Sequence, residues 1–126
     1  MKANEFVKKH GWNSLLIAKT LPKFNRYKYV IFYADEIDFS NEFHAGRKSY
    51  MFEVVEVKRL VESHELVAVH GFEKSKEIVA NAPSDDHFYS WTLGGSSVRD
   101  KTVNIGELRK AIADVESCME VSSESN

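Results

Sequence analysis

The chain states one pattern twice, and that repetition limits what it can fold into more than any other feature. Phe6-Val7-Lys8-Lys9-His10-Gly11-Trp12 is echoed by Leu66-Val67-Ala68-Val69-His70-Gly71-Phe72. With one extra residue allowed, Ile17-Ala18-Lys19-Thr20-Leu21-Pro22 falls on Ile78-Val79-Ala80-Asn81-Ala82-Pro83. Both copies then run into aromatic, strand-like sequence. A pattern that recurs along a chain points to pseudo-equivalent supersecondary modules, here about 3–57 and 58–117.

Each half reads as helix, helix, strand, strand. Residues 3–9 form a short helix that His10-Gly11 stops, because glycine alone adopts the left-handed backbone of such an end at no cost. Asn13 or Ser14 caps a second helix over 13–20, with Leu15, Leu16, Ala18 and Leu21 as core candidates and Pro22 as its end. Tyr27 to Tyr33 is β-branched and aromatic and predicts a strand; Tyr50 to Val57 predicts a second. Between them Ile37, Phe39 and Phe43 alternate with polar residues and extend the pairing, and His44 to Arg47 turns the chain.

The second copy opens with a helix over 58–69, stopped by His70-Gly71, and continues with a helix over 73–81. Pro83 and Ser84-Asp85-Asp86 make a turn before a strand from His87 to Leu93. Gly94 to Ser97 turns the chain again and Val98 to Val103 returns it. Asn104-Ile105-Gly106-Glu107 is a capping box opening a closing helix, with Leu108, Ala111, Ile112, Val115 and Met119 on one face. The fold class is therefore α+β: internally duplicated helix–helix–hairpin modules with a C-terminal helix, the helices packed on antiparallel sheet.

Its 126 residues, 43% apolar and 29% charged, suit one α+β domain over 1–120, followed by a Ser- and Glu-rich tail, 121–126, too polar to fold. No apolar run is long enough for a membrane span, and the N-terminal residues lack a signal-peptide core. The single cysteine, Cys118, excludes an internal disulfide and fits a reducing, cytoplasmic setting.

The net charge of -2 conceals an asymmetry. Residues 1–28 carry Lys2, Lys8, Lys9, Lys19, Lys23, Arg26 and Lys28 against Glu5 alone. A basic end on an acidic body attracts nucleic acid or an acidic protein face. The segment around Gly11 also partly fits a helix-turn-helix. Its second helix, however, offers few base-reading side chains, and its Leu15-Leu16-Ile17-Ala18 run is apolar. Tyr27, Tyr29, Phe32 and Tyr33 suit either base stacking or, more commonly, cross-strand packing.

Residues suited to catalysis are scattered. No pair among His10, His44, His64, His70 and His87 has the i, i+4 spacing of a zinc-binding helix. Asp85, Asp86 and His87 are adjacent but read as turn chemistry. Asp35, Glu36 and Asp38 read as a solvated acidic cluster. Cys118 has no neighbouring base in sequence, and a helix C-terminus disfavours its thiolate. Gly94-Gly95-Ser96-Ser97 lacks the lysine and spacing of a phosphate-binding loop. The expectation is a non-enzymatic protein with no cofactor and no metal.

Two segments carry a resemblance. Lys58-Arg59-Leu60-Val61-Glu62-Ser63-His64-Glu65-Leu66-Val67, with Gly71-Phe72-Glu73-Lys74-Ser75-Lys76-Glu77-Ile78-Val79, resembles small early or accessory proteins of lambdoid phages and enterobacterial prophages. Leu108-Arg109-Lys110-Ala111-Ile112-Ala113-Asp114-Val115 does likewise. The resemblance covers about half the chain and implies a bacterial host cytoplasm, a binding role and no catalytic residues. The partner expected is a host or phage protein; the alternative is nucleic acid, bound through the basic N-terminal helices. Candidate contacts are Lys2, Lys8, Lys9, Lys19, Lys23, Arg26 and Lys28, together with exposed aromatics among Phe39, Phe43 and Trp91.

Overall fold

Two glycines set the corners of the fold. A computed structural model of the chain describes residues 2–33, 36–43, 46, 50–91 and 101–119. The elements are α1 (Ala3–His10), α2 (Asn13–Thr20), a 3-10 turn (Pro22–Asn25), β1 (Tyr29–Phe32), β2 (Ile37–Ser40) and β3 (Met51–Glu53). They continue with α3 (Val54–Ala68), α4 (Phe72–Asn81), β4 (Phe88–Trp91), β5 (Lys101–Asn104) and α5 (Ile105–Ser117). The class is α+β. Most of the expected turn at His44–Arg47, the turn at Gly94–Ser97 and the tail at 121–126 lie outside the described residues.

The chain divides into two compact units. The first takes residues 1–62 and 116–126, the second 63–115, so the divisions fall inside α3 and α5. The described strands form two separate sheets, not one: a three-stranded antiparallel sheet in the order β2-β1-β3, and the antiparallel pair β4-β5.

In the first unit, Gly11 ends α1 at φ 83° and ψ -177°, and its N–H donates to the Val7 carbonyl at 2.7 Å. That backbone region is open to glycine and closed to residues with a Cβ. Trp12, not Asn13 or Ser14, occupies the N-cap of α2, with no side-chain cap bond. Leu21 closes α2 in extended conformation, as a residue before proline must, and its N–H reaches Ala18 O at 3.1 Å. The core gathers Phe6 and Val7 of α1, Leu15 and Ala18 of α2, Phe24, the inward residues Val30, Phe32 and Phe52 of the sheet, and Val54, Val57, Leu60 and Val61 of α3. Phe6 stacks on Phe32 with ring centroids 5.0 Å apart and meets Phe52 edge-on at 5.4 Å.

The expected strand over 50–57 is corrected by the structure. Only Met51–Glu53 is strand, and Val54 already begins α3. Three valines in four residues favour a strand locally. The helical spacing that they share with residues further along decides otherwise: Val54, Val57, Leu60 and Val61 lie on one helical face, all buried. The Val54 N–H donates to Lys28 O at 2.8 Å, so the last strand bond is also the first anchor of the helix.

In the second unit, Gly71 lies at φ 90° and ψ 158°, with its N–H on Val67 O at 2.9 Å. Ala82 closes α4 at φ -80° and ψ 141°, close to Leu21 at φ -81° and ψ 140°, and again a proline follows. The Ile105 N–H donates to His87 O at 2.9 Å, as Val54 does to Lys28. Ile105, Leu108, Ala111 and Ile112 are buried at the spacing of Val54, Val57, Leu60 and Val61. The core is aliphatic, with Val67, Ile78, Val79, Val103 and Val115 completing it. Ser75, fully buried, donates its hydroxyl to Val67 O at 3.3 Å.

The capping box at Asn104 forms on one side, since the Glu107 N–H donates to Asn104 Oδ1 at 3.0 Å. At the far end the expected burial of Met119 is corrected. α5 stops at Ser117, leaving Met119 45% exposed, while Cys118 is buried in the core of the first unit.

Candidate functional site

Three concave surfaces stand out among the described residues, and two of them carry the exposed aromatic residues Tyr33, Tyr50 and Phe88. The widest, about 500 Å³, lies in the first unit and is lined by Phe6, His10, Ser14, Phe32, Tyr33 and Tyr50. The last turn of α1 and the open end of the β1–β3 ladder position it. Phe6 and His10 are one helical turn apart, and their rings meet at 4.6 Å. The Phe32 N–H donates to Tyr50 O at 2.9 Å, and the Tyr33 N–H to Glu36 O at 2.9 Å, fixing both tyrosines to backbone. Tyr33 is 41% and Tyr50 52% exposed. The cleft therefore presents aromatic faces with hydroxyl and imidazole groups at their margins.

The second surface, about 320 Å³, lies where the chain enters β1. Phe24, Tyr27, Lys28, Tyr29, Val55 and Lys58 are among its lining residues. Tyr29 meets Phe43 at 5.9 Å, and Tyr27 meets Phe39 at 6.1 Å. The third, about 240 Å³, lies in the second unit, beside His87, Phe88, Tyr89 and Ile105. Phe88 is 65% exposed.

The residues named from sequence separate here. Lys2, Lys8, Lys9, Lys23, Arg26 and Lys28 are exposed, and Lys19 is half-buried. Lys8, Lys9 and His10 close α1, where cations complement the helix dipole. Lys28 borders the second surface and Phe43 stands exposed beside it, whereas Phe39 is half-buried against the core and is a packing residue. Trp91 pairs with Lys101 through the backbone of β4 and β5; its side chain lies outside the described part. Sequence spacing does not single out the surface roles of Tyr50, Val55 and Phe88, and offers Tyr33 only as a stacking or cross-strand residue. Each lies at an element end, where period alone does not say which face is covered.

The Asp85–His87 cluster is a structural turn. The Arg109 Nε donates to Asp85 Oδ1 at 3.0 Å, Asp85 O accepts from Gly106 N and Asn104 Nδ2, and Ser84 Oγ lies 2.8 Å from His87 Nδ1. Among the described residues no three His, Cys, Asp or Glu side chains converge as metal ligands, and no helix is long and apolar enough to cross a membrane. Comparison of the chain with protein-family models, with curated proteins and with solved structures gives no match.

Proposed function

We propose that the chain is a non-enzymatic binding protein of the phage or prophage accessory kind, acting on a host or phage protein in the bacterial cytoplasm. The carrying observation is the 500 Å³ cleft with Tyr33 and Tyr50 half-exposed at its rim. Aromatic side chains with a polar tip, set around a concavity, are the groups that most often dominate protein–protein binding energy. Lys8 and Lys9 stand in the same helical turn as His10, so an acidic partner surface is favoured.

The test is affinity capture from an enteric bacterial lysate with the wild-type chain and with Tyr33→Ala/Tyr50→Ala. A protein retained by the first and lost by the second, with unchanged circular dichroism, is the expected result. Equal retention by both, or retention of nucleic acid alone, rejects the reading.

A second reading, nucleic-acid binding, has one observation in its favour: Lys23, Arg26, Lys28 and Lys58 lie close in sequence or space to Tyr27, Tyr29 and Phe43. Such binding weakens steeply with salt, because phosphate contacts release counterions. A gel shift absent at low salt removes it.

We also infer an internal duplication. Its support is the shared Gly11 and Gly71 geometry, the matched Leu21 and Ala82 helix ends, the Lys28–Val54 and His87–Ile105 bonds, and the shared registers Tyr29↔Glu53 and Phe88↔Asn104. Replacing residues 11–22 by the sequence of 71–83 should leave the first unit folded; loss of its cooperative unfolding would count against common modules.

A further inference from the structure

We propose that the outer edge of β4 is an acceptor for an extended segment of a partner protein, which adds antiparallel to β4 as β2 adds to β1. The proposal rests on the protein-partner reading but uses a surface of its own.

The phase of the ladders identifies the groups involved. In the first unit the bonds Val54 N–Lys28 O and Phe32 N–Tyr50 O turn the backbone polar groups of Lys28, Val30 and Phe32 toward β3. Residues on a strand alternate, so Tyr29 and Ile31 turn theirs the other way, toward Ser40 and Asp38 of β2. The bond from Tyr33 N to Glu36 O continues that second ladder.

In the second unit the bond Ile105 N–His87 O sets the same phase, which turns Tyr89 toward Val103 of β5. Phe88 and Ser90, the counterparts of Tyr29 and Ile31, therefore point their N–H and C=O groups away from β5. No described strand pairs with that edge, and neither residue has another backbone bond among the described residues.

An unpaired edge is a template for strand addition, and natural edges are guarded by charge, proline or bulges. Phe88-Tyr89-Ser90-Trp91 has no charge and no proline. β2 shows what fills the matching place: Ile37-Asp38-Phe39-Ser40, apolar at alternate positions, with Phe39 opposite Val30 and packed on the core. By the same geometry the added segment sets an apolar residue opposite Tyr89, which already packs on the second core.

The probe is a synthetic peptide copying residues 36–43, added to the full chain and followed by amide hydrogen exchange. At saturation the Phe88 and Ser90 amides should exchange about tenfold more slowly, the factor that about 1.4 kcal/mol provides. Methylating the peptide nitrogen of its Asp38 position, which faces the acceptor, abolishes the effect; methylating that of its Phe39 position, which faces away, preserves it. Ser90→Pro removes a donor that β5 does not use and blocks the peptide.

Protection at Tyr29 and Ile31 instead, indifference to methylation, or slow Phe88 and Ser90 exchange in the peptide-free chain overturns the proposal. So does protection that rises with chain concentration alone, which marks a second copy as the occupant. Failure of the peptide with success of the tyrosine capture test removes the acceptor edge and leaves the protein-partner reading standing. A bound peptide with no protein captured removes the role of the cleft.

Discussion

The two units use the same backbone bonds and different fillings. Each turns at a glycine of positive φ, ends its next helix before a proline, and hands its last strand directly to a helix through one bond to the residue before the first strand. The first unit then builds its core on Phe6, Phe24, Phe32 and Phe52, the second on valine, isoleucine, leucine and alanine. Backbone geometry is thus held while side-chain volume varies, as expected where patterning sets the fold and packing sets how rigidly it is held. The sheets differ too. Among the described residues β1 is paired with both β2 and β3, and β4 with β5 alone.

The largest effects should come from emptying either core. Phe24 and Leu108 are both fully buried. Phe24→Ala should cost about 3–5 kcal/mol and Leu108→Ala about 2–5 kcal/mol. Chemical denaturation followed by near-ultraviolet circular dichroism and by residue-resolved exchange separates two outcomes. If each substitution lowers the stability of its own unit alone, the units unfold independently. If both substitutions shift one shared transition, they unfold together.

Next come the corners. Gly11→Ala and Gly71→Ala each force a Cβ into a backbone region that L-residues rarely hold, at about 1–3 kcal/mol. Neither site has an atom within 4 Å of the added Cβ, so the cost is conformational and should be similar at both. A cost below about 0.5 kcal/mol at either one, within the range of ordinary surface changes, would show that its corner relaxes and break the parallel.

Those corners were legible in the sequence because glycine after a helix and proline after the next are strong local signals. The α+β class, the Asn104 cap and the burial of Leu15, Ala18, Leu60, Val61, Leu108 and Ala111 come from spacing in the same way. The start of α3 did not, because Val54 and Val55 favour strand locally and only the packing of Val54 against the core selects helix. The surfaces were harder. Phe39 and Phe43 sit four residues apart on similar sequence, yet one packs inward and the other is 54% exposed. Which backbone groups of β4 face away from β5 depends on ladder phase, and no residue type encodes that.

A smaller effect is expected where a polar side chain ties two helices of the second unit. Ser63, nearly buried on α3, donates to Asp114 Oδ2 of α5 at 2.7 Å. These two residues hold corresponding positions on α3 and α5, nine beyond Val54 and nine beyond Ile105. Ser63→Ala removes a donor to a half-buried carboxylate and should cost about 1.5 kcal/mol, near the lower end for bonds to charged groups. A double-mutant cycle with Asp114→Asn measures the pair directly, and a coupling indistinguishable from zero would assign Ser63 to packing alone.

The smallest effect distinguishes the units by pH. The Lys2 N–H donates to the Glu5 carboxylate at 2.8 Å, and that bond, aided by nearby positive charge, holds the Glu5 carboxyl below its ordinary range. A carboxyl lowered on folding stabilises the folded chain above its unfolded pKa, and this contribution is lost as pH falls through the lowered value. Acidification should therefore loosen the first turn of α1. Residues 63–68, whose sequence echoes the α1 segment, form the C-terminal part of the continuous helix α3, which begins at Val54, and so have no N-terminus to release. Amide exchange at Ala3 to Phe6, compared with Ser63 to Leu66 between neutral and acid pH, should change in the first set more than in the second. Glu5→Gln should remove that difference by keeping the side chain uncharged throughout. Equal acid sensitivity in both segments would show that the loosening begins elsewhere than at the free end of α1.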